Sequence, residues 1–372
     1  MLNESKIHLR ILTWNLGFGS GKNDFERDTL KRFYRIIQTV RAIDPDIVVF
    51  QEAANQDYSN GTEPFEFIGR WKDTDDAFSM GYFQPSLSLG VLNNFPGGKF
   101  ESLQRYSQVI KQEQGLVMLI RNARGWYLKN LYSDAPNDVK AVEIQRAMPH
   151  SLYMGSHQES IAGRDEEDRP ILWMRIGRKG LPDLYKVFVA GLHFPTLSGE
   201  EQGIPAGHFT PSQLNILENY LSLPTTEKAG LTVDNLGAAL RLSMLKQLVF
   251  QALRLDEYWK SKASENECLF FFTGDFNFLH TNERYLVKSD EQHFLENNGF
   301  ECIKKNGFTR KENWKLHDNI WVQMPPSSAQ NKEKLSVKYA ELNAFGAKEP
   351  ITSWPKDLDK ISDHYPVAAA VE

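Results

Sequence analysis

The chain has 372 residues, of which 41% are apolar and 24% are charged, and its formal net charge is −5. These values are typical of a globular protein and exclude a disordered chain, a collagen-like chain and a disulfide scaffold. A net negative charge also argues against a stoichiometric nucleic-acid binder, whose affinity depends on phosphate neutralisation. It is compatible with an enzyme that contacts a phosphoester briefly and carries its own cation.

No uninterrupted apolar run approaches the ~18 residues of a membrane-spanning helix, so no stable membrane insertion is expected. The first twelve residues lack the features of a signal peptide, which predicts a cytoplasmic protein and leaves secretion by another signal open. Cys268 and Cys302 lie beside apolar residues and are expected to be reduced core thiols. Neither a coiled-coil seam nor an exposed apolar helix is apparent, so no obligate protein partner is expected.

The predicted elements alternate between strands and helices along the whole chain. A helix is predicted at 26–43, where Leu30, Phe33, Ile37 and Val40 share one face, and further helices are predicted at 211–221 and 236–259. Apolar, β-branched runs predict strands at 7–14, 47–50, 115–121, 171–176, 187–192, 269–273, 319–322 and 366–371.

Without a break in composition, this alternation predicts one α/β domain spanning 1–372, with helices packed outside sheets. Three segments that are rich in Gly, Pro, aromatic or polar residues are interpreted as insertions on that core, at 53–112, 198–237 and 325–360. Loops of this length either contain small elements of their own or serve as a lid or rim.

Five short motifs place polar residues at or beside the end of an apolar strand. In chain order they are TWN, QE, LH, GDFN and SDHYP, beginning at Thr13, Gln51, Leu192, Gly274 and Ser362. Polar groups beside a buried strand cost desolvation unless they are paired, and strand ends are where α/β proteins form sites. The set therefore predicts one polar site. Hard oxygen ligands without a Cys cluster suit Mg²⁺ or Mn²⁺, and zincin, zinc-finger and P-loop motifs are absent.

The ordered set, spread from residue 9 to 371, resembles the endonuclease/exonuclease/phosphatase superfamily, the fold of DNase I and the abasic-site endonucleases. The resemblance implies a four-layered α/β sandwich in which two mixed β-sheets pack face to face, with helices outside. It also implies divalent-metal-dependent hydrolysis of a phosphoester, with the site at one end of the two sheets.

The resemblance further implies a metal site. Glu52 is expected to hold the ion, with help from Asn15 and Asp363. Abasic-site endonucleases often carry an acidic residue two positions after the first Asn, where this chain has Gly17. A second metal position from that side is therefore not expected.

Substrate phosphate is expected to contact Asn277 and Asn15. Arg169 resembles an arginine that reaches phosphate or braces the site, a role for which Arg146 competes. DNase I-like enzymes place a groove-binding arginine two residues after the metal glutamate, where this chain has Ala54. That departure argues against binding in the groove of duplex DNA.

Proton transfer is expected to involve two histidines, each matched by a carboxylate. The resemblance pairs Asp318 with His364 and Glu113 with His193. His364 is expected to be the base, with Asp275 as the rival for the base or water-orienting role, and His193 is expected to be the general acid or a phosphate donor.

The leading hypothesis is a Mg²⁺-dependent phosphodiesterase, most simply a nuclease. The alternative is a phosphomonoesterase or a lipid or inositol phosphodiesterase of the same superfamily. A third hypothesis is a catalytically silent interaction protein that retained the fold. The sequence does not distinguish DNA from RNA, or endonuclease from exonuclease activity.

Overall fold

The computed structural model describes residues 9–17, 32, 35, 36, 38–40, 43–53, 80–85, 115–121, 125–134, 142–145, 171–179, 185–194, 233–278, 280, 287–303, 309, 316–323, 340–342, 362 and 364–371. The described positions from 32 to 40 and position 43 are helical. Two helices have defined bounds, α1 at Val233–Lys262 and α2 at Asp290–Asn297. The strands of this part of the chain are β1 Leu9–Asn15, β2 Ile47–Ala53, β3 Met80–Pro85, β4 Gly115–Ile120, β5 Trp126–Lys129, β6 Val142–Gln145, β7 Ile171–Arg178, β8 Tyr185–His193, β9 Glu267–Asp275, β10 Phe300–Cys302, β11 Asp318–Gln323, β12 Ala340–Leu342 and β13 Val367–Val371.

The strands form two mixed sheets. The first sheet has the order β12-β13-β1-β2-β4-β3, and the second has the order β10-β11-β9-β8-β7-β5, with β6 also paired to β7. In the first sheet β1 and β2 are parallel, and in the second β8 and β9 are parallel, while the other pairs are antiparallel. A parallel pair brings two carboxyl ends to the same edge of its sheet.

The two sheets pack face to face through a shared apolar core. Ile11 and Val49 of the first sheet lie in one buried cluster with Val189 and Phe271 of the second. Alternate residues of β8 and β9 point to the other face, where Phe188 and its neighbours meet α1 in a second buried cluster. Because both faces of the second sheet are covered, β9 is a continuous apolar run rather than an alternating one.

Each of the eight predicted strands overlaps a described strand. The predictions at 115–121 and 366–371 extend one residue beyond the strand, and residues 7 and 8 of the first prediction lie outside the described residues. The predicted helix at 236–259 is α1, and described positions confirm helix within the predicted 26–43, with Val40 buried. Two strands that the sequence did not predict, β3 and β12, fall within the segments interpreted as insertions and join the first sheet at its edges. The predicted helix at 211–221 lies outside the described residues.

Neither α1 nor α2, nor any other described helical stretch, combines the length and apolarity needed to cross a bilayer. The two cysteines are free thiols. Cys268 is buried as expected, and burial raises the pKa of its thiol to about 12. Cys302 is only half-buried, because β10 lies at the edge of its sheet.

Candidate active site

The two parallel strand pairs bring the predicted polar residues to one edge. Asn15 ends β1 beside Gln51, and Glu52 follows in β2. His193 ends β8 directly opposite Asp275, the last residue of β9. Since the sheets pack face to face, both pairs of carboxyl ends meet, and the side chains of both sheets share one site.

Asn15 joins the carboxylates of the two sheets. Its Nδ2 donates to Glu52 Oε1 at 3.1 Å and to Asp275 Oδ2 at 3.1 Å. Its Oδ1 accepts from the Gly17 backbone N–H at 2.9 Å, which fixes the orientation of the amide. The amide hydrogens of Asn15 therefore lie between two carboxylates that would otherwise repel each other.

Both predicted histidines lie beside Asp275. His193 Nε2 is 3.6 Å from Glu52 Oε1 and 3.8 Å from Asp275 Oδ2. His364 Nδ1 is 2.8 Å from Asp318 Oδ2 and 3.8 Å from Asp275 Oδ2. The carboxylate contact identifies Nδ1 as the protonated nitrogen of a neutral His364 ring, which leaves Nε2 as the basic atom.

The His364 segment is tied to the end of β1. Ser362 Oγ donates to the Asn15 carbonyl at 2.7 Å and accepts from the His364 backbone N–H at 3.0 Å. The indole N–H of Trp14 donates to the His364 carbonyl at 2.9 Å. These bonds hold the imidazole across from Asp318, on the opposite sheet. Ser362 is part of the SDHYP motif, but the sequence alone predicts no role for it.

Thr309 ties the Asp318 strand to the same segment. Its buried Oγ1 accepts from the backbone N–H groups of His317 at 2.9 Å and Asp318 at 3.1 Å. Its carbonyl accepts from the Tyr365 N–H at 2.7 Å. Sequence reasoning missed Thr309 because it lies apart from the five motifs, and its bonds appear only when distant segments meet.

Two site residues have a strained backbone. Among the described non-glycine residues, φ is positive at Asp44, Glu52 and Asn277, with values of 58°, 49° and 50°. Such conformations cost of the order of 1–3 kcal/mol and persist where the surroundings enforce them, which is common at functional sites. At Asn277 the enforcing contact is a hydrogen bond from its backbone N–H to Asp275 Oδ1 at 2.9 Å.

The electrostatics of the site favour a bound cation. Burial, and then the neighbouring Asp318 carboxylate, raise the pKa of Asp275, while His364 and the bonds from Asn15 and Asn277 act in the opposite direction. In the described part of the chain, neither Glu52 nor these two aspartates forms an ion pair with Lys or Arg. Among the described residues, these carboxylates are contacted by histidines and amides and by no Lys or Arg ion pair.

The donor atoms fit a hard divalent ion. Asp275, Asp318 and His364 each offer one ligand atom, and these atoms all lie within 4.8 Å of one another. Asp318 Oδ1, the oxygen that does not bond His364, is buried and has no hydrogen-bond partner among the described residues. Unpaired buried carboxylate oxygen is costly unless a cation or water satisfies it, and oxygen-rich sites without thiolates suit Mg²⁺ or Mn²⁺. Glu52 borders this cluster through Asn15.

Several predicted residues lie outside the described part of the chain. They are Glu113, Arg169, Arg146 and Asp363. Their expected roles, including the pairing of Glu113 with His193, stay predictions. The structure thus brings together Asn15, Glu52, His193, Asp275, Asn277, Asp318 and His364.

No family model matches the chain, and no curated protein matches it. Among solved structures, it is similar to an endonuclease/exonuclease/phosphatase from Beutenbergia cavernae, with 13% identity over 98% of this chain and 71% of that one and a TM-score of 0.51. It also matches an endonuclease/exonuclease/phosphatase from Bacteroides vulgatus, at 15% identity over 99% of each chain and a TM-score of 0.48. The human Nocturnin catalytic domain matches at 13% identity over 99% and 95% of the two chains, with a TM-score of 0.47. Only the first of these scores exceeds 0.5, and it confirms the predicted DNase I-like fold.

Proposed function

We propose that this chain, which has the fold of the endonuclease/exonuclease/phosphatase superfamily, is a divalent-metal-dependent phosphodiesterase that acts on nucleic acid. One observation carries the proposal. The carboxylates of Glu52, Asp275 and Asp318 converge with two histidines at the strand ends of both sheets, and no Lys or Arg in the described residues forms an ion pair with them. Such a group is suited to a cation and to the in-line displacement of a phosphoester.

Glu52 would hold the ion, with Asn15 and Asp363 as its expected partners, and the neighbouring carboxylates of Asp275 and Asp318 are the alternative donors. Bound Mg²⁺ or Mn²⁺ would neutralise phosphate oxygens and stabilise the negative charge of the transition state. The preference for these ions is supported by the oxygen donors of the site and by the position of Cys268 and Cys302 elsewhere in the fold.

The chain's own side chains then divide the proton transfers. His364 accepts a proton from the attacking water through Nε2, because Asp318 holds its Nδ1–H and raises the basicity of the ring. Asp275, beside both histidines, is the rival for this role. His193 donates a proton to the leaving oxygen, and Asn277 donates a hydrogen bond to a phosphate oxygen without adding negative charge.

Nucleic acid is the substrate that the sequence motifs favour, since nucleases are the broadest group of the superfamily they resemble. The net charge of −5 is compatible with a transient encounter and does not favour stable duplex binding. Single strands and ends therefore belong in the test beside duplex DNA.

The test is a substrate panel with Mg²⁺ or with EDTA, containing supercoiled plasmid, single-stranded DNA, RNA, a phosphoinositide and sphingomyelin. We expect cleavage of at least one nucleic acid with Mg²⁺, loss of cleavage in EDTA, and a rate about 10²–10⁴-fold lower in His193→Ala. Turnover of a lipid or inositol headgroup without nucleic-acid cleavage would establish the alternative substrate class. Absence of metal-dependent hydrolysis of any phosphoester would contradict the proposal.

A further inference from the structure

Both polar atoms of the Asn277 side-chain amide have a contact. Its Nδ2 donates to the Phe194 carbonyl, and its Oδ1 lies 3.4 Å from His317 Nδ1. Asn277 and His317 are both buried, with exposed fractions of 7% and 6%. His317 belongs to none of the five sequence motifs, and no role follows for it from the resemblance.

The contacts show which atom of the Asn277 amide faces the His317 ring. Since Nδ2 donates to the Phe194 carbonyl, Oδ1 is the atom of Asn277 that faces His317. An acceptor opposite Nδ1 requires that this ring nitrogen carries the proton. The second hydrogen on Asn277 Nδ2 has no acceptor among the described residues, so it is the one that can reach a phosphate oxygen.

The position of His317 is itself fixed by its backbone. Its N–H donates to Thr309 Oγ1 at 2.9 Å, and its carbonyl accepts from the Phe276 N–H at 3.1 Å. The residue also directly precedes Asp318, which binds His364. The backbone of His317 is therefore anchored beside the end of β9 and the start of β11, next to the segment that carries Asn277.

We propose that His317 is a positioning residue, whose Nδ1–H orients the Asn277 amide so that Nδ2 faces the scissile phosphate. This role rests on the proposed function. Without the His317 donor, the Phe194 carbonyl is the one contact left to the side chain among the described residues, and the amide is free to tilt about that single bond. A displacement of about 1 Å is sufficient to slow an enzyme up to about 100-fold, because hydrogen bonds to a transition state depend steeply on geometry.

The test compares three substitutions whose side chains differ in where they place a donor. His317→Asn places an amide N–H near the position of Nδ1, His317→Gln places it near Nε2, and His317→Leu has no donor. We expect kcat to fall about 10- to 100-fold in the Leu and Gln variants with KM within about twofold, and to be largely restored in the Asn variant. Circular dichroism and thermal unfolding check that each variant is folded.

A double-mutant cycle with Asn277→Ala separates positioning from general stability. If His317 acts through Asn277, adding His317→Leu to Asn277→Ala lowers kcat no further. An additional loss equal to that of His317→Leu alone would contradict the proposal, as would equal kcat in the Asn, Gln and Leu variants. Nitrogen-15 NMR of histidine-labelled protein gives a readout without turnover, since it must show His317 protonated at Nδ1.

The outcomes for the two proposals are distinct. A folded wild type without metal-dependent hydrolysis would overturn the proposed function and the role of His317 in it. An active wild type with an unaffected His317→Leu variant would overturn the positioning role alone.

Discussion

Glu52 combines a strained backbone with a charged side chain at the centre of the site. Its φ is 49°, and its Oε1 lies 3.1 Å from Asn15 Nδ2 and 3.6 Å from His193 Nε2. A neutral amide at this position would keep the length of the side chain and lose its charge. A Glu52→Gln substitution therefore tests the effect of the negative charge while it leaves the shape of the site unchanged.

Glu52→Gln is expected to weaken Mn²⁺ binding about 10- to 100-fold, because the anionic ligand that attracts the ion is lost. Isothermal titration calorimetry with Mn²⁺ measures the affinity, and Glu301→Gln, which removes an exposed charge from β10, is the matched control. Equal affinity in wild type and Glu52→Gln would contradict the assignment of Glu52 as a metal ligand.

At the scale of elements, the close approach of β8 and β9 sets the position of His193 and Asp275. Gly274 has a φ of +155°, and a Cβ at this position would lie 1.9 Å from the Leu192 carbonyl oxygen. Leu192 and Gly274 therefore approach each other closely, and the residues that follow them, His193 and Asp275, lie directly opposite each other. Only glycine satisfies this geometry.

Gly274→Ala is expected to cost about 1–3 kcal/mol of unfolding free energy, because the new Cβ must push the β8 backbone away. Hydrolytic activity is expected to fall with it, since His193 follows Leu192 directly. Urea unfolding measures the loss. The comparison variant is Gly191→Ala, whose Cβ would have its nearest contacts with the side chains of Met118 and Val49 at 3.0 Å, and this variant should cost less. Wild-type stability and activity in Gly274→Ala would contradict this prediction, because β8 would then accommodate the new Cβ without a measurable effect.

His280 connects β11 with the segment that precedes it. Its Nε2 accepts from the Trp321 indole N–H at 2.9 Å, and its Nδ1 lies 2.8 Å from the Leu316 carbonyl. The ring is therefore neutral with the proton on Nδ1. Burial lowers the pKa of His280 to about 4, well below the ordinary value of about 6.5.

The lowered pKa of His280 predicts a loss of stability in mild acid. Between about pH 6.5 and pH 4 the unfolded chain binds a proton at this histidine that the folded chain does not, so stability falls as pH falls through this window. The contribution is complete above about pH 6.5, and its full loss is on the order of 3 kcal/mol. Urea unfolding of wild type and His280→Gln at pH 7 and pH 4.5 tests this, because the variant should lose less stability between the two. An identical pH dependence in both proteins would refute it.

At the scale of the whole molecule, the site exists only while the two sheets remain packed. Asn15 of the first sheet donates to Asp275 of the second, and Asp318 of the second sheet binds His364, which leads into β13 of the first. Each of these pairs joins the two sheets at the edge of the apolar core that lies between them. Loss of activity and loss of sheet packing are therefore expected to coincide during unfolding.

Much of this arrangement was predictable from the sequence. Apolar runs such as Ile47–Phe50 identify strands because both faces are buried, and the polar residues that follow them mark the edge where the site forms. Short edge strands such as Phe300–Cys302 were not predictable, since three residues carry too little periodicity. Contacts between distant segments, such as Thr309 with Asp318 or His317 with Asn277, arise from tertiary packing and leave no pattern in the sequence.

Hydrolysis of bis(p-nitrophenyl) phosphate reports directly on a metal-dependent phosphoesterase site, because this diester requires no particular nucleic-acid or lipid recognition. The rate is measured for wild type with Mg²⁺, for wild type in EDTA with subsequent Mg²⁺ addition, and for Asp275→Asn. We predict release of p-nitrophenol by wild type with Mg²⁺, its loss in EDTA, its recovery on adding Mg²⁺, and a rate at least about 100-fold lower in Asp275→Asn. Release that is unaffected by EDTA, or equal in wild type and Asp275→Asn, would contradict a metal-dependent phosphoesterase site at these strand ends.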